Sequence, residues 1–188
     1  VSLVFYGIAM AWGYRRDWRK LLQLGIGAAI PLGIAYGLIV PRALLAAGRN
    51  TGYISAGSWA PWLEVPLSFV VGDPAARGFI GWAGWAMMIA VGWMLSRVLP
   101  WRLVPGVPDD EDPRRDPLTI TVRTAVILTA SWLITSPYTL SWYDLTTWVP
   151  LGLMVASRLD VLMMGRGLWL SLAYVTGRSV EFSPAIVA

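Results

Sequence analysis

The 188-residue chain contains neither cysteine nor histidine. The first absence removes disulfide frameworks and every thiolate site. The second removes the usual zinc ligands, serine-histidine catalysis and imidazole proton relays. Charge is also scarce, at 14% of residues, and there is no GxGxxG or GxxxxGK phosphate cradle to suggest a soluble nucleotide site. Whatever chemistry the chain takes part in must rest on carboxylates, arginines, hydroxyls and aromatics. No cofactor is expected, and no metal either. The run DDEDPRRD, residues 109–116, packs five carboxylates and two arginines into eight positions. A proline-flanked charge run holds no ligand in the fixed geometry that a cation cage needs, so it reads as a solvated loop.

What the chain has in abundance is apolar and aromatic surface: 56% of residues are hydrophobic and 12 are tryptophan. That is too apolar for an ordinary water-soluble domain. Several runs approach the ~20 residues that a helix needs to cross about 30 Å of hydrocarbon. The expected fold is therefore all-α, a polytopic transmembrane bundle of five to six spans, forming one helical domain over residues 1–188. The chain begins inside an apolar stretch, with no Met or basic region before it, which suggests a piece of a longer membrane protein.

Apolar runs at residues 1–14, 21–40, 78–96 and 118–135 read as spans, with shorter runs at 148–156 and 161–175 that make one further span or two. Pro31 is expected to kink the second run, whose glycines and alanines thin one face. In the third, Gly81, Gly84, Ala86 and Gly92 would admit a close neighbour. The long connection 41–77 is too polar to cross and too rich in Trp and Leu to float in water. It should lie along the membrane, with Trp59 and Trp62 in the interface and residues 41–50 as a short helix.

Orientation follows from the cations. Connections 15–20 and 97–117 carry eight Lys and Arg between them, against three in 41–77 and none in 136–147. The first pair is expected to be cytoplasmic and the second extracytoplasmic. Arg123, close to the start of its run, can snorkel back to the inner side, and Arg158 and Arg166 mark that inner boundary too. The net charge of +4 is explained by this topology, so nucleic acid is not an expected partner.

Two outer features could carry function. Arg42, Arg49 and Arg77 serve no topological purpose outside, and guanidinium grips phosphate in a bidentate way. The loop SPYTLSWYDLTTWVPL, residues 136–151, holds Tyr138, Trp142, Tyr143 and Asp144. These form either a plain aromatic belt with Asp144 capping the helix that begins at Leu145, or a platform for a sugar ring or isoprenoid chain with Asp144 accepting sugar hydroxyls.

That loop, with ASRLDVLMMGRGLWLSLAYVTGR downstream and LLAAGRNTGYISAGS upstream, resembles the C-terminal half of actinobacterial polyprenol-phosphate-mannose-dependent mannosyltransferases, which are integral-membrane glycosyltransferases of the C type. The likeness covers about half the chain. It departs at Ser141, where the family often has proline before Trp-Tyr. The resemblance implies transfer of a sugar, mannose, from a polyprenyl-phosphate donor to an extracytoplasmic glycan or glycolipid acceptor, in contact with membrane lipid. It also implies that the catalytic carboxylate lies upstream of Val1, so the catalytic residue stays unassigned. A transporter or flippase-like subunit without transferase activity is the alternative, and such a protein is expected to place ionisable residues inside its spans.

Overall fold

The structure is a computed structural model that describes residues 2–34, 54–55, 57–104 and 112–173. Among these the chain is 78% helical and contains no strand. Seven α-helices follow in order: α1 (Ser2–Gly13), α2 (Trp18–Ile34), α3 (Ala60–Val71), α4 (Asp73–Val98), α5 (Pro117–Thr135), α6 (Leu145–Leu151) and α7 (Arg158–Ala173). A 3-10 turn, Ser141–Asp144, leads directly into α6.

Helix α5 is the axis of the assembly. Asp116 starts it by accepting from the backbone N–H of Leu118 and Thr119, and Pro117 fills the first helical position, where no N–H is needed. It buries residues all round, mostly apolar but with Thr119, Arg123, Thr129 and Ser131 among them, and α1 and α4 pack against it antiparallel. Gly13 makes the approach of α1 possible: a β-carbon there would lie 2.6 Å from the Pro117 carbonyl oxygen. On α4, Gly84 and Gly92 face α5, where added β-carbons would come within 3.2 Å of the Thr135 carbonyl and 3.6 Å of Ser131 Oγ. Gly81 has open space around it and Ala86 is exposed, so only half of the expected small-residue face is used. The core joins Leu95 of α4 and Leu99 just after it, Val126, Ala130 and Leu133 of α5, Leu151 of α6 and Met163 of α7.

α4 and α5 are each long and apolar enough to cross a membrane, both with mean hydropathy 1.5. They differ in surroundings, since α5 is mostly enclosed while α4 exposes Phe79, Trp82, Trp85, Ile89 and Trp93. α4 begins earlier than its apolar run. Gly72, at φ +80°, ends α3 and starts α4 in a backbone conformation that suits glycine, and Pro74 follows within the first turn. Arg77 therefore sits on α4, not in a connection. α2 continues through Pro31 to Ile34 and buries none of its residues.

α6, at seven residues, rises only about 10 Å and cannot span alone. Beyond it the chain runs extended and pairs with the segment after α4: Val104 N–H donates to the Leu153 carbonyl (2.8 Å) and Val155 N–H to that of Arg102 (3.2 Å). α7 then returns past the 3-10 turn, with Leu159 and Met163 in the core and Arg166 reaching the Leu133 carbonyl. The two basic connections meet at one end of the molecule, where Arg15, Arg16, Arg114 and Arg115 surround a cleft of about 460 Å³. Residues 136–144 occupy the other, aromatic end. Arg42 and Arg49, with the helix expected over 41–50, lie outside the described residues.

Candidate functional site

The site sits at the C-terminal end of α5, where the last carbonyls of a helix lack partners within it. Two distant segments and the helix's own capping residue supply donors. Trp59 Nε1 donates to the Thr135 carbonyl (2.9 Å), Ser136 N–H to that of Trp132 (2.7 Å), and Arg166 Nη2 to that of Leu133 (3.0 Å). Trp59 is thus a half-buried tie to the end of α5, while Trp62 stays exposed. Residues 136–140 are fixed against the segment before α3, since Ser55 N–H donates to the Pro137 carbonyl (3.1 Å) and Thr139 N–H to Ser55 Oγ (2.9 Å).

Arg166, expected at the inner boundary, lies instead at this aromatic end. Its Nη1 is ion-paired with Asp144 Oδ1, and Nη2 also donates to Thr139 Oγ1. Both side chains are largely withdrawn from solvent, 14% exposed for Arg166 and 5% for Asp144. The other oxygen, Asp144 Oδ2, is buried with no hydrogen-bond partner, and so is Thr147 Oγ1. Gly167 of α7 faces this oxygen, and a β-carbon there would sit at ordinary contact distance, 3.9 Å from Oδ2. Burial pushes the Asp144 carboxyl above its usual range, and the Arg166 guanidinium pulls it back part of the way.

The helix does begin at Leu145, but Asp144 does not cap it. A capping residue takes extended backbone angles, whereas Asp144 is helical (φ −60°, ψ −27°) because the 3-10 turn runs straight into α6. Its side chain is thereby free to reach α7. The aromatic residues form a cluster more than an open platform. Tyr143 lies 5.9 Å from Trp132, 6.1 Å from Tyr138 and 6.1 Å from Trp142 between ring centroids. Burial raises the Tyr143 phenol. Trp142 alone of the three expected aromatics is widely exposed, at 61%.

Beside the ion pair is a cavity of about 330 Å³, lined by Ser58, Trp59, Ser136, Thr139, Arg166 and Trp169 together with leucine and isoleucine side chains. Such a lining, apolar with a few hydroxyls and one cation, suits an amphiphilic ligand. Arg77 does not line it, and instead pairs with Glu64 through Nε at 2.8 Å. The structure therefore brings Asp144, Tyr143, Tyr138 and Trp142 together, and joins Arg166, Thr139, Trp59 and Trp169 to them. The residues missed in the sequence had one signal, an arginine in the middle of an apolar run. No protein-family model, curated protein or solved structure matches the chain.

Proposed function

We propose that the chain is part of a multi-pass membrane glycosyltransferase of five to six spans, moving a sugar from a polyprenyl-phosphate donor to an extracytoplasmic glycan or glycolipid acceptor. Mannose is the sugar that the resemblance implies. The observation that carries this reading is the buried Arg166–Asp144 pair, with an unpartnered carboxylate oxygen, next to a cavity walled by Trp59 and Trp169. Sugar recognition uses such parts: a carboxylate that accepts hydroxyl protons and indole faces against which a ring can lie.

In the transfer, the acceptor hydroxyl oxygen bonds to the anomeric carbon as the bond from that carbon to the phosphate oxygen breaks. The hydroxyl proton passes to a base, and polyprenyl phosphate leaves with its negative charge held by guanidinium. Arg42, Arg49 and Arg77 are assigned to that phosphate. Tyr138, Trp142, Tyr143 and Asp144 are assigned to the sugar and its lipid. Asp144 is assigned to binding and not to proton abstraction, because the resemblance places the catalytic carboxylate upstream of Val1. The basic end faces the cytoplasm and the aromatic end faces outward, which accords with the meeting of residues 15–16 and 114–115 in one cleft.

The test is transfer of radiolabelled sugar from polyprenyl phosphate in membranes carrying the full-length protein, comparing wild type with Asp144→Asn and Arg49→Ala at matched expression. Loss of transfer in folded variants supports the reading. Full activity in both variants reduces the aromatic end to a boundary belt. One observation favours the transporter instead: Asp144 and Arg166 are ionisable groups buried among helices, where transport paths place them. A wild-type protein inactive in transfer, with solute movement across vesicles that Asp144→Asn stops, would decide for it.

A further inference from the structure

A second cavity lies between α4 and α7, about 680 Å³ in volume. Val91 and Leu95 on one face of α4 and Leu99, the residue that ends it, form one wall at four-residue spacing, and Leu159 and Leu162 of α7 form the other. At ~1.5 Å per residue that wall is about 12 Å long. Met94, Val98 and Leu162 at the rim are half exposed or more, so the groove opens sideways along the outer flank of the helices. Its polar lining is confined to Ser157 and Arg158, neighbours at one end.

Arg158 is exposed and makes no ion pair among the described residues. The nearest acid in sequence, Asp160, is turned away from it, since its Oδ2 accepts from the Ser157 N–H (2.6 Å) and hydroxyl (3.0 Å). The same end holds Arg97, which lies over the Trp93 ring, and Arg102, whose carbonyl pairs with Val155; neither forms an ion pair among the described residues. An apolar groove open to the side, closing at one end on cations without an ion pair among the described residues, complements a molecule with an anionic head and a hydrocarbon tail.

We propose that this groove binds an anionic phospholipid, with its phosphate on Arg158 and one acyl chain laid between α4 and α7. The occupant differs from the polyprenyl donor in where its charge belongs: the donor phosphate is needed at the aromatic end, whereas Arg158 stands at the basic end. The proposal rests on the chain being embedded in a membrane, and it is independent of the sugar chemistry.

The experiment places the full-length protein in phosphatidylcholine vesicles doped with a phosphatidylglycerol that carries a diazirine on one acyl chain. After irradiation the labelled peptides are mapped. Label is expected on residues 91–99 and 159–162, displaced by unlabelled phosphatidylglycerol and not by extra phosphatidylcholine. In Arg158→Gln it should fall roughly fivefold, the effect of removing one cation near a membrane surface. Leu162→Trp, which fills the groove and leaves Arg158 in place, should lower the label as well and serves if the arginine variant fails to fold. Equal displacement by phosphatidylcholine, or label spread evenly over every exposed face of α4, overturns the proposal. So does displacement by polyprenyl phosphate in preference to phosphatidylglycerol, which would give the groove to the donor tail.

Discussion

Two arginines, Arg123 on α5 and Arg166 on α7, are withdrawn from water between apolar helices, and they are neutralised in different ways. Arg123 has no carboxylate partner among the described residues. Its Nη2 donates to the carbonyls of Ser96 (2.6 Å) and Leu99 (3.3 Å), its guanidinium lies 3.9 Å from the Trp101 ring centroid, and its Nε is left buried without a partner. It thus caps the negative end of the α4 dipole and faces an aromatic quadrupole, rather than reaching back to solvent. Arg166 has one full opposite charge, Asp144, besides the Leu133 carbonyl and the Thr139 hydroxyl. A cation held by dipoles closes off a helix end and leaves little to offer a ligand. A cation held by a carboxylate leaves that carboxylate a second oxygen, and at Asp144 this oxygen is unpartnered.

The sharpest way to break this comparison is Asp144→Ala, which strands a buried guanidinium. A loss of about 3–5 kcal/mol is expected, read as a lower midpoint of thermal unfolding in lipid nanodiscs. Adding Arg166→Met should restore most of it, because the pair is then replaced by apolar atoms of similar volume. A double variant no better than Asp144→Ala alone would mean that the two residues do not act as a unit. Arg123→Met should cost less, about 2 kcal/mol, since it removes charged hydrogen bonds yet leaves only carbonyl dipoles behind. If it proves the more damaging of the two single changes, the distinction between dipole-held and charge-held cations is wrong.

The difference between these arginines was only half legible in the sequence. Long apolar runs announce helices through composition alone, and residues 118–135 became α5 with a change of one residue at its start. The start of α4 moved from 78 to Asp73 because charged residues read as loop, although Asp73 and Pro74 are good first-turn residues. Arg123 and Arg166 looked alike, each a cation inside an apolar run. What separates them is a partner 22 positions away for Arg166 and carbonyls 24 to 27 positions away for Arg123. No helical or strand periodicity encodes such pairings. Asp144 carried a fair hint as the single charge in residues 136–147, but a cap is the local reading of an aspartate before a helix. Only the 3-10 turn, which gives it helical backbone angles, releases the side chain to α7.

A smaller effect separates the two ends of α5. Asp116→Ala removes the side chain that accepts from Leu118 and Thr119 N–H, and a cost of about 1 kcal/mol is expected. Fraying should appear as faster amide exchange in the first turns of α5, near Arg123, with the amides around Leu133 and Arg166 unchanged. Faster exchange at both ends would show α5 opening as one unit, and the two arginines would then share a single element of stability.

The smallest change in stability is expected for Trp142→Ala, and for that reason it isolates function best. Tyr143 is locked among Trp132, Tyr138 and Trp142, so replacing it would disturb packing and binding together. Trp142 projects from the same 3-10 turn with most of its surface exposed, and trimming it should alter the unfolding free energy by no more than about 0.5 kcal/mol. If its indole serves as a stacking face for a sugar, transfer should fall about tenfold at low donor concentration and recover in Trp142→Phe, since base or ring stacking on an aromatic is worth about 1–3 kcal/mol. If the residue belongs only to an aromatic belt, transfer in Trp142→Ala stays at the wild-type level at every donor concentration. The charge-held arginine would then organise an end of the molecule whose remaining candidate surface is the cavity lined by Arg166, Thr139 and Trp169, with the exposed tryptophan left to the membrane.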